Sequence, residues 1–196
     1  MNIREEHMEE RERASIASVG FWVYIMSDCL LFGSLFATFA VLEGNTFAGP
    51  ALGKHFSLPF VLVETMLLLT SSVTAGFGLL AARRGARRHV LAWLFATFLL
   101  GAAFVALEIA EFRTLVLEGY GPSTSAALSS FFTLVGTHGL HVATGLLWMA
   151  VLMIYVVARG ITGGALRRLT LFTLFWHFLD IVWIFIFTIV YLFNFI

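Results

Sequence analysis

Eight ionisable side chains lie inside long apolar runs of this sequence. They are Asp28, Glu64, Glu108, Glu111, His138, His141, His177 and Asp180. Each such group costs about 2.5 to 3.5 kcal/mol in a hydrocarbon environment, so these groups are expected to face a bundle interior, to pair, or to do work. Three pairs are spaced three residues apart, which places both members on one helix face. These pairs are Glu108 with Glu111, His138 with His141, and His177 with Asp180.

A metal site is the first chemistry that such pairs suggest. Helical bundles bind two iron ions through carboxylates and Glu-x-x-His pairs, whereas here Glu pairs with Glu, His with His, and His with Asp. A haem held by His138 and His177 would need both at one depth. Counting about 1.5 Å per residue places them in opposite leaflets. Neither a metal nor a haem is therefore predicted in this chain.

Three other readings remain. Acids and histidines at graded depth could relay protons, with Asp28 the best candidate. Nucleophilic catalysis is disfavoured because the sequence has no GxSxG or HExxH motif. The remaining reading is structural: acids and imidazoles bond across helices and fix their packing.

Depth counting along the apolar runs predicts that seven of the eight groups form two interhelical clusters, while His141 lies near the middle of the membrane. One cluster, in the cytoplasmic half, joins Asp28, His177 and Asp180. The other, nearer the outside, joins Glu64, Glu108, Glu111 and His138.

The elements that must position these groups are membrane-spanning helices. The chain has 196 residues, of which 60% are hydrophobic and 12% charged, and its mean hydropathy is +0.92. This excludes an ordinary soluble domain. Runs long enough to cross a bilayer lie at 17–42, 58–82, 90–117, 129–158 and 169–195. We predict an all-α polytopic membrane protein with a tail at 1–15 and a single domain of five transmembrane helices at 16–196.

The distribution of charge predicts orientation and excludes some partners. Twelve Lys and Arg balance twelve Asp and Glu, so nucleic-acid binding is not expected, and the lone Cys29 cannot form an internal disulfide. Ten Arg residues precede helices 1, 3 and 5, which places the N-terminus in the cytoplasm and the C-terminus in the periplasm. Six of these Arg residues are expected to contact lipid headgroups: Arg83, Arg84, Arg87, Arg88, Arg167 and Arg168.

Small residues are present in the helices as candidates for close packing. They include Gly33, Gly76, Gly139 and Gly145. We found no internal duplication and no pair of broken helices, so a secondary transporter is disfavoured.

Five segments carry a resemblance to a known family. They read YIMSDCLLFGSLFATF (24–39), LPFVLVETMLLLTSS (58–72), ALEIAEF (106–112), VGTHGLHVATG (135–145) and FWHFLDIVWIFIFTIVYL (175–192). Together they resemble subunit III of the haem-copper oxidases across all five helices. THGLHV and WHFLDIVW are the most specific motifs. The segments MSDCLLF and LPFVLVET are most similar in sequence to the cytochrome o ubiquinol oxidase branch.

The resemblance implies an accessory subunit in the bacterial inner membrane that carries no redox centre. In that family haem b, haem o and copper belong to subunit I, which reduces dioxygen with electrons from ubiquinol. The implied partners are subunits I, II and IV and membrane phospholipid, and the implied roles are stabilisation of subunit I and lipid binding. Asp28 stands where many relatives that use cytochrome c have a buried Glu, so the properties of that position need not carry over. The first two helices of the seven-helix form are missing.

Two alternatives to this reading stay open. A subunit III of a cytochrome c oxidase would share both signature motifs. A stand-alone proton-linked channel or transporter could be built on the same buried acids.

Overall fold

The protein is a bundle of five long helices. The computed structural model describes residues 3–44 and 58–193, with side chains from residue 15 onward. The helices are α1 (Ile3–Leu42), α2 (Leu58–Arg83), α3 (Arg87–Leu117), α4 (Ala126–Arg159) and α5 (Gly163–Ile186). All five are long and apolar enough to cross a membrane, and the apolar part of α1 is Ser15–Leu42. The prediction of an all-α membrane bundle with five spans is confirmed.

Several helices begin earlier than the apolar runs predict. The side chain of Ser125 accepts a hydrogen bond from the Leu128 amide before α4, and that of Thr162 accepts one from the Ala165 amide before α5. These N-caps satisfy amides at helix ends and lie outside the apolar runs, so hydropathy does not detect them. One consequence is that Arg167 and Arg168 lie within α5, not in the turn before it.

The last helix also ends differently from the prediction. After Ile186 the α-helix widens into a π-helical segment, Phe187–Leu192, and the predicted end at 195 lies outside the described residues. A π-helical turn inserts extra backbone and so rotates the side chains that follow it. In the described structure this segment carries Tyr191 into the bundle interior.

Two tight turns join neighbouring helices at one end of the bundle. Gly85, between α2 and α3, has φ of 70°, and Gly160, after α4, has φ of 72°. Glycine adopts this left-handed conformation without the steric cost that a Cβ imposes. The guanidinium of Arg87 at the start of α3 donates to the Val157 carbonyl near the end of α4, so the two turns are tied together.

The core lies where α2, α3, α4 and α5 meet, and α1 packs on α4 and more lightly on α5. Its largest fully buried side chains include Trp176, Trp183, Phe104 and Phe131. The Trp176 indole fills the space beside two glycines. A Cβ at Gly101 or Gly145 would lie 2.9 Å from its ring.

The glycines expected to allow close packing therefore fall into two groups. Gly145 lies against Trp176, and a Cβ at Gly139 would lie 2.5 Å from Glu108 Oε2. In contrast, Gly33 and Gly76 have no atom within 4 Å of a Cβ position, so no helix packs closely on them.

Replacement of Gly101 by Ala tests the packing around Trp176. We expect Gly101→Ala to destabilise the chain by about 1 to 3 kcal/mol, because the new methyl group overlaps the indole and the Leu146 side chain. The measurement is the midpoint of denaturant-driven unfolding in the purified membrane preparation. Gly76→Ala is the matched control, since its methyl group enters open space and should leave the midpoint unchanged.

Candidate functional site

The polar interior of the bundle is organised by contacts between α2 and α5. The Trp183 indole N–H donates to Thr65 Oγ1 at 3.1 Å, and the Trp176 indole N–H donates to Ser71 Oγ at 3.0 Å. Ser72 Oγ lies 2.5 Å from His177 Nδ1. Because the two helices run antiparallel, these three contacts form rungs along one shared face. We call this set the α2–α5 ladder.

His177 and Asp180 lie beside the last of these rungs. The Ser72 hydroxyl interacts with the Asp180 carboxyl as well as with the His177 ring, and the two α5 side chains interact electrostatically with each other. Asp180 is 8% exposed. One serine of α2 therefore serves two ionisable groups of α5, as the i,i+3 spacing of that pair allows.

Asp28 has a different partner from the one expected. Its Oδ1 lies 3.6 Å from His141 Nε2 of α4, and His141 Nδ1 lies 2.8 Å from the Thr137 carbonyl. A carbonyl only accepts, so Nδ1 carries a proton and donates. The expected grouping of Asp28 with His177 and Asp180 is replaced by an α1–α4 pair and an α2–α5 group. Depth along the helices was compatible with either arrangement, but the rotation of α1 selects His141.

His138 is enclosed by aromatic rings. Its ring stacks on Trp183 at 5.2 Å between centroids and meets the edge of Phe104 at 6.0 Å. The residue is fully buried, and neither ring nitrogen has a hydrogen-bond partner. Its role in the bundle is that of an aromatic packing residue beside the ladder.

The three glutamates of α2 and α3 interact with one another. Glu64 of α2 interacts electrostatically with Glu108 and Glu111 of α3. The Tyr191 hydroxyl of the π segment donates to Glu111 Oε2 at 3.0 Å. The sequence predicted a cluster of these three glutamates with His138. The structure brings the glutamates together with Tyr191 as an additional member, whereas His138 contacts aromatic rings instead.

Sequence reasoning missed the neutral polar residues that make these contacts. They are Thr65, Ser71, Ser72 and Tyr191. A partial signal was available: Trp176 and Trp183 lie seven residues apart on α5. Side chains at this spacing return to one face of a helix that packs on a neighbour.

Two of the six Arg residues expected at lipid headgroups contact protein. The Arg87 guanidinium donates to the Val157 carbonyl, and the Arg168 guanidinium lies 4.6 Å from the Tyr155 ring centre. Arg84 lines a cleft of about 360 Å³ between α2 and α3. The structure thus places these cations in or close to the two turns at one end of the bundle.

Metal binding has no support in the described part of the chain. Within residues 3–44 and 58–193, no three His, Cys, Asp or Glu side chains are grouped so that they could hold a metal ion. The buried ionisable groups instead meet hydroxyls, aromatic rings or each other.

The fold and this interior define a class: a multi-pass helical membrane protein whose buried polar groups are held by contacts between its own helices. Comparison with known proteins gives the family. The family model described as cytochrome c oxidase subunit III matches residues 5–195. The chain belongs to this family.

Relatives whose names state different electron donors are similar to this chain over almost its whole length. The chain is 54% identical over 190 residues to cytochrome bo(3) ubiquinol oxidase subunit 3 of Pseudomonas aeruginosa, covering 97% of this chain and 91% of the relative. It is 44% identical over 191 residues to quinol oxidase subunit 3 of Bacillus subtilis, covering 97% and 93%. It is 45% identical over 174 residues to cytochrome c oxidase subunit 3 of Bacillus sp. PS3, covering 89% and 84%.

Removal of the Ser72 hydroxyl tests the ladder. We expect Ser72→Ala to destabilise the chain by about 1 kcal/mol, because an interhelical hydrogen bond is lost and two buried groups of α5 lose a partner. The measurement is the unfolding midpoint of the chain in the purified membrane preparation.

Ser27→Ala is the control for this experiment. The Ser27 hydroxyl bonds only to the Val23 carbonyl of its own helix in an exposed position. Equal midpoints for the two variants would contradict the assignment of Ser72 to the ladder.

Proposed function

We propose that the chain is the accessory subunit III of a proton-pumping cytochrome o ubiquinol oxidase, which oxidises ubiquinol and reduces dioxygen to water. The observation that carries this proposal is the 54% identity to a cytochrome bo(3) ubiquinol oxidase subunit 3 over 97% of the chain. In the proposed complex haem b, haem o and copper belong to subunit I. This chain adds no redox centre and is not itself catalytic.

The surface of the bundle supports a role within a larger complex. Large apolar side chains are exposed on every helix, among them Leu30 of α1 and Leu147 of α4, which are 78% and 69% exposed. The connections from α2 to α3, from α3 to α4 and from α4 to α5 are short. The apolar faces of the bundle are therefore available to lipid and to subunits I, II and IV, and packing against subunit I would stabilise both chains.

A stand-alone proton channel or transporter is the weaker candidate. Such a protein needs polar groups that line one continuous path. Here Asp28 pairs with His141, His177 contacts Ser72, and the glutamates form a separate group. This division into local contacts suits a packing subunit better.

We place the subunit in the bacterial inner membrane with its N-terminus in the cytoplasm. The support is that the helix ends around the α2–α3 and α4–α5 turns carry most of the Arg residues and lie at one end of the bundle, where Arg87 bonds the end of α4. An excess of Arg in short loops marks the cytoplasmic side of membrane proteins. The C-terminus then lies in the periplasm, because the chain crosses the membrane five times.

Phospholipid binding is a further part of this proposal. The cleft between α2 and α3 has apolar walls that include Phe77, Leu80 and Trp93, and it carries Arg84 and His89. A cationic rim over an apolar groove matches a phosphate headgroup above an acyl chain, and each cation near the surface contributes about 1 kcal/mol.

Purification through an affinity tag on this chain tests the proposed function. We expect larger chains to copurify, the reduced-minus-oxidised visible spectrum to show haem bands, and the preparation to oxidise ubiquinol faster than cytochrome c. Native mass spectrometry of the same preparation should detect bound phospholipid.

The other outcomes of this purification are equally informative. Oxidation of cytochrome c in place of ubiquinol would indicate that the chain is subunit III of a cytochrome c oxidase. A haem-free preparation of the chain alone that conducts protons in liposomes would contradict the proposal and favour the transporter reading.

A further inference from the structure

Two glutamates, Glu64 of α2 and Glu108 of α3, are buried without the partners that ionised carboxylates require. Glu64 is fully buried, and neither of its carboxyl oxygens has a hydrogen-bond partner. Glu108 is 3% exposed, and its Oε1 is also without a partner. A carboxylate removed from water and left unpaired is far costlier than a neutral carboxylic acid in the same place.

The groups that face these carboxyls add no positive charge. Glu64 interacts with Glu111 and Glu108, and Glu108 interacts with Glu111. Tyr191 of the π segment interacts with all three glutamates. Helix α4 presents Gly139, whose missing side chain leaves the space that the Glu108 carboxyl fills. Among the described residues, the electrostatic partners of these carboxyls include no Lys, Arg or His.

Glu111 is the member of the group whose contacts favour a negative charge. The Tyr191 hydroxyl donates to Glu111 Oε2 at 3.0 Å, and a hydrogen bond to an ionised group is stronger than one between neutral groups. Both carboxyl oxygens of Glu64 and Oε1 of Glu108 have no such donor. A second negative charge would therefore meet both a desolvated site and the repulsion of the first.

We propose that Glu64, Glu108, Glu111 and Tyr191 form a buried proton-binding site whose three carboxyl groups together hold at least two protons at neutral pH. The remaining charge, when present, resides on Glu111 beside the Tyr191 hydroxyl. Protons within such a group are shared, so the site titrates as a unit.

The site is defined by the fold alone. It requires that α2, α3, α4 and the π segment meet as described, and it does not depend on which oxidase contains the chain. If the proposed function were wrong, the proton-binding site would still stand. If the proton-binding site were wrong, the family assignment would still stand.

Infrared difference spectroscopy of the purified complex in lipid nanodiscs tests the site. The signal is the carbonyl stretch of protonated carboxylic acids, identified by its shift in deuterated water. At neutral pH we expect Glu64→Gln and Glu108→Gln each to lose one protonated-carboxyl band relative to the wild-type complex. The matched control is Glu118→Gln, which alters an exposed residue after α3 and should lose only an ionised-carboxylate band.

Loss of ionised-carboxylate bands alone from Glu64→Gln and Glu108→Gln would overturn the proposal. Should those variants fail to assemble, Tyr191→Phe provides the test, because it keeps every carboxyl group. Removal of its hydroxyl takes the donor from Glu111. Protonated-carboxyl absorbance should therefore rise if Glu111 is ionised in the wild type, and an existing protonated-carboxyl band should shift if Glu111 already holds a proton. A carboxyl spectrum of Tyr191→Phe unchanged in both intensity and frequency would contradict the site.

Discussion

A polar group in hydrocarbon must find its partner within the protein, and in this bundle the α2–α5 ladder meets that constraint. Hydroxyls of α2 accept from the indoles of Trp176 and Trp183, which fixes how far α5 is shifted along α2 and how it is rotated. The remaining interior follows from that register. Trp176 fills the space beside Gly101 and Gly145, Trp183 lies under His138, and the chain beyond α5 brings Tyr191 to Glu111. The ladder thus positions groups on three other elements.

The same register separates the buried ionisable groups by what each of them contacts. Hydroxyl partners serve His177 and Asp180, aromatic rings enclose His138, and Asp28 has the imidazole of His141. The glutamates are left to each other and to Tyr191. Each of these contacts is made locally within the bundle, and large apolar side chains stay exposed on its surface. A subunit that supplies a rigid helical surface to a catalytic neighbour needs this combination, and membership of the cytochrome c oxidase subunit III family is consistent with it.

The sequence predicted the five spans because long apolar runs have few alternatives in a chain of this composition, and the THGLHV and WHFLDIVW motifs pointed to the family that the comparisons show. Residue counting gave depth but not rotation about the helix axis, so Asp28 was grouped with His177 when it lies beside His141. Rotation depends on which neutral residues bond across helices. Ser72 does not differ in type from serines such as Ser27 that bond their own helix, and Thr65 both donates to the Val61 carbonyl of its own helix and accepts from Trp183. The π segment was beyond prediction because FTIVYL satisfies the pattern of an ordinary α-helix equally well.

A side-chain-resolution density map of the intact complex in lipid is the most direct test of the central claim, that the α2–α5 register positions the polar interior. The account predicts indole density of Trp176 and Trp183 directed at Ser71 and Thr65, and a widened turn at 187–192 that places the Tyr191 hydroxyl on Glu111. It would be contradicted by a regular α-helix through this segment with Tyr191 turned toward lipid, or by α5 shifted along α2 so that the indoles face other residues.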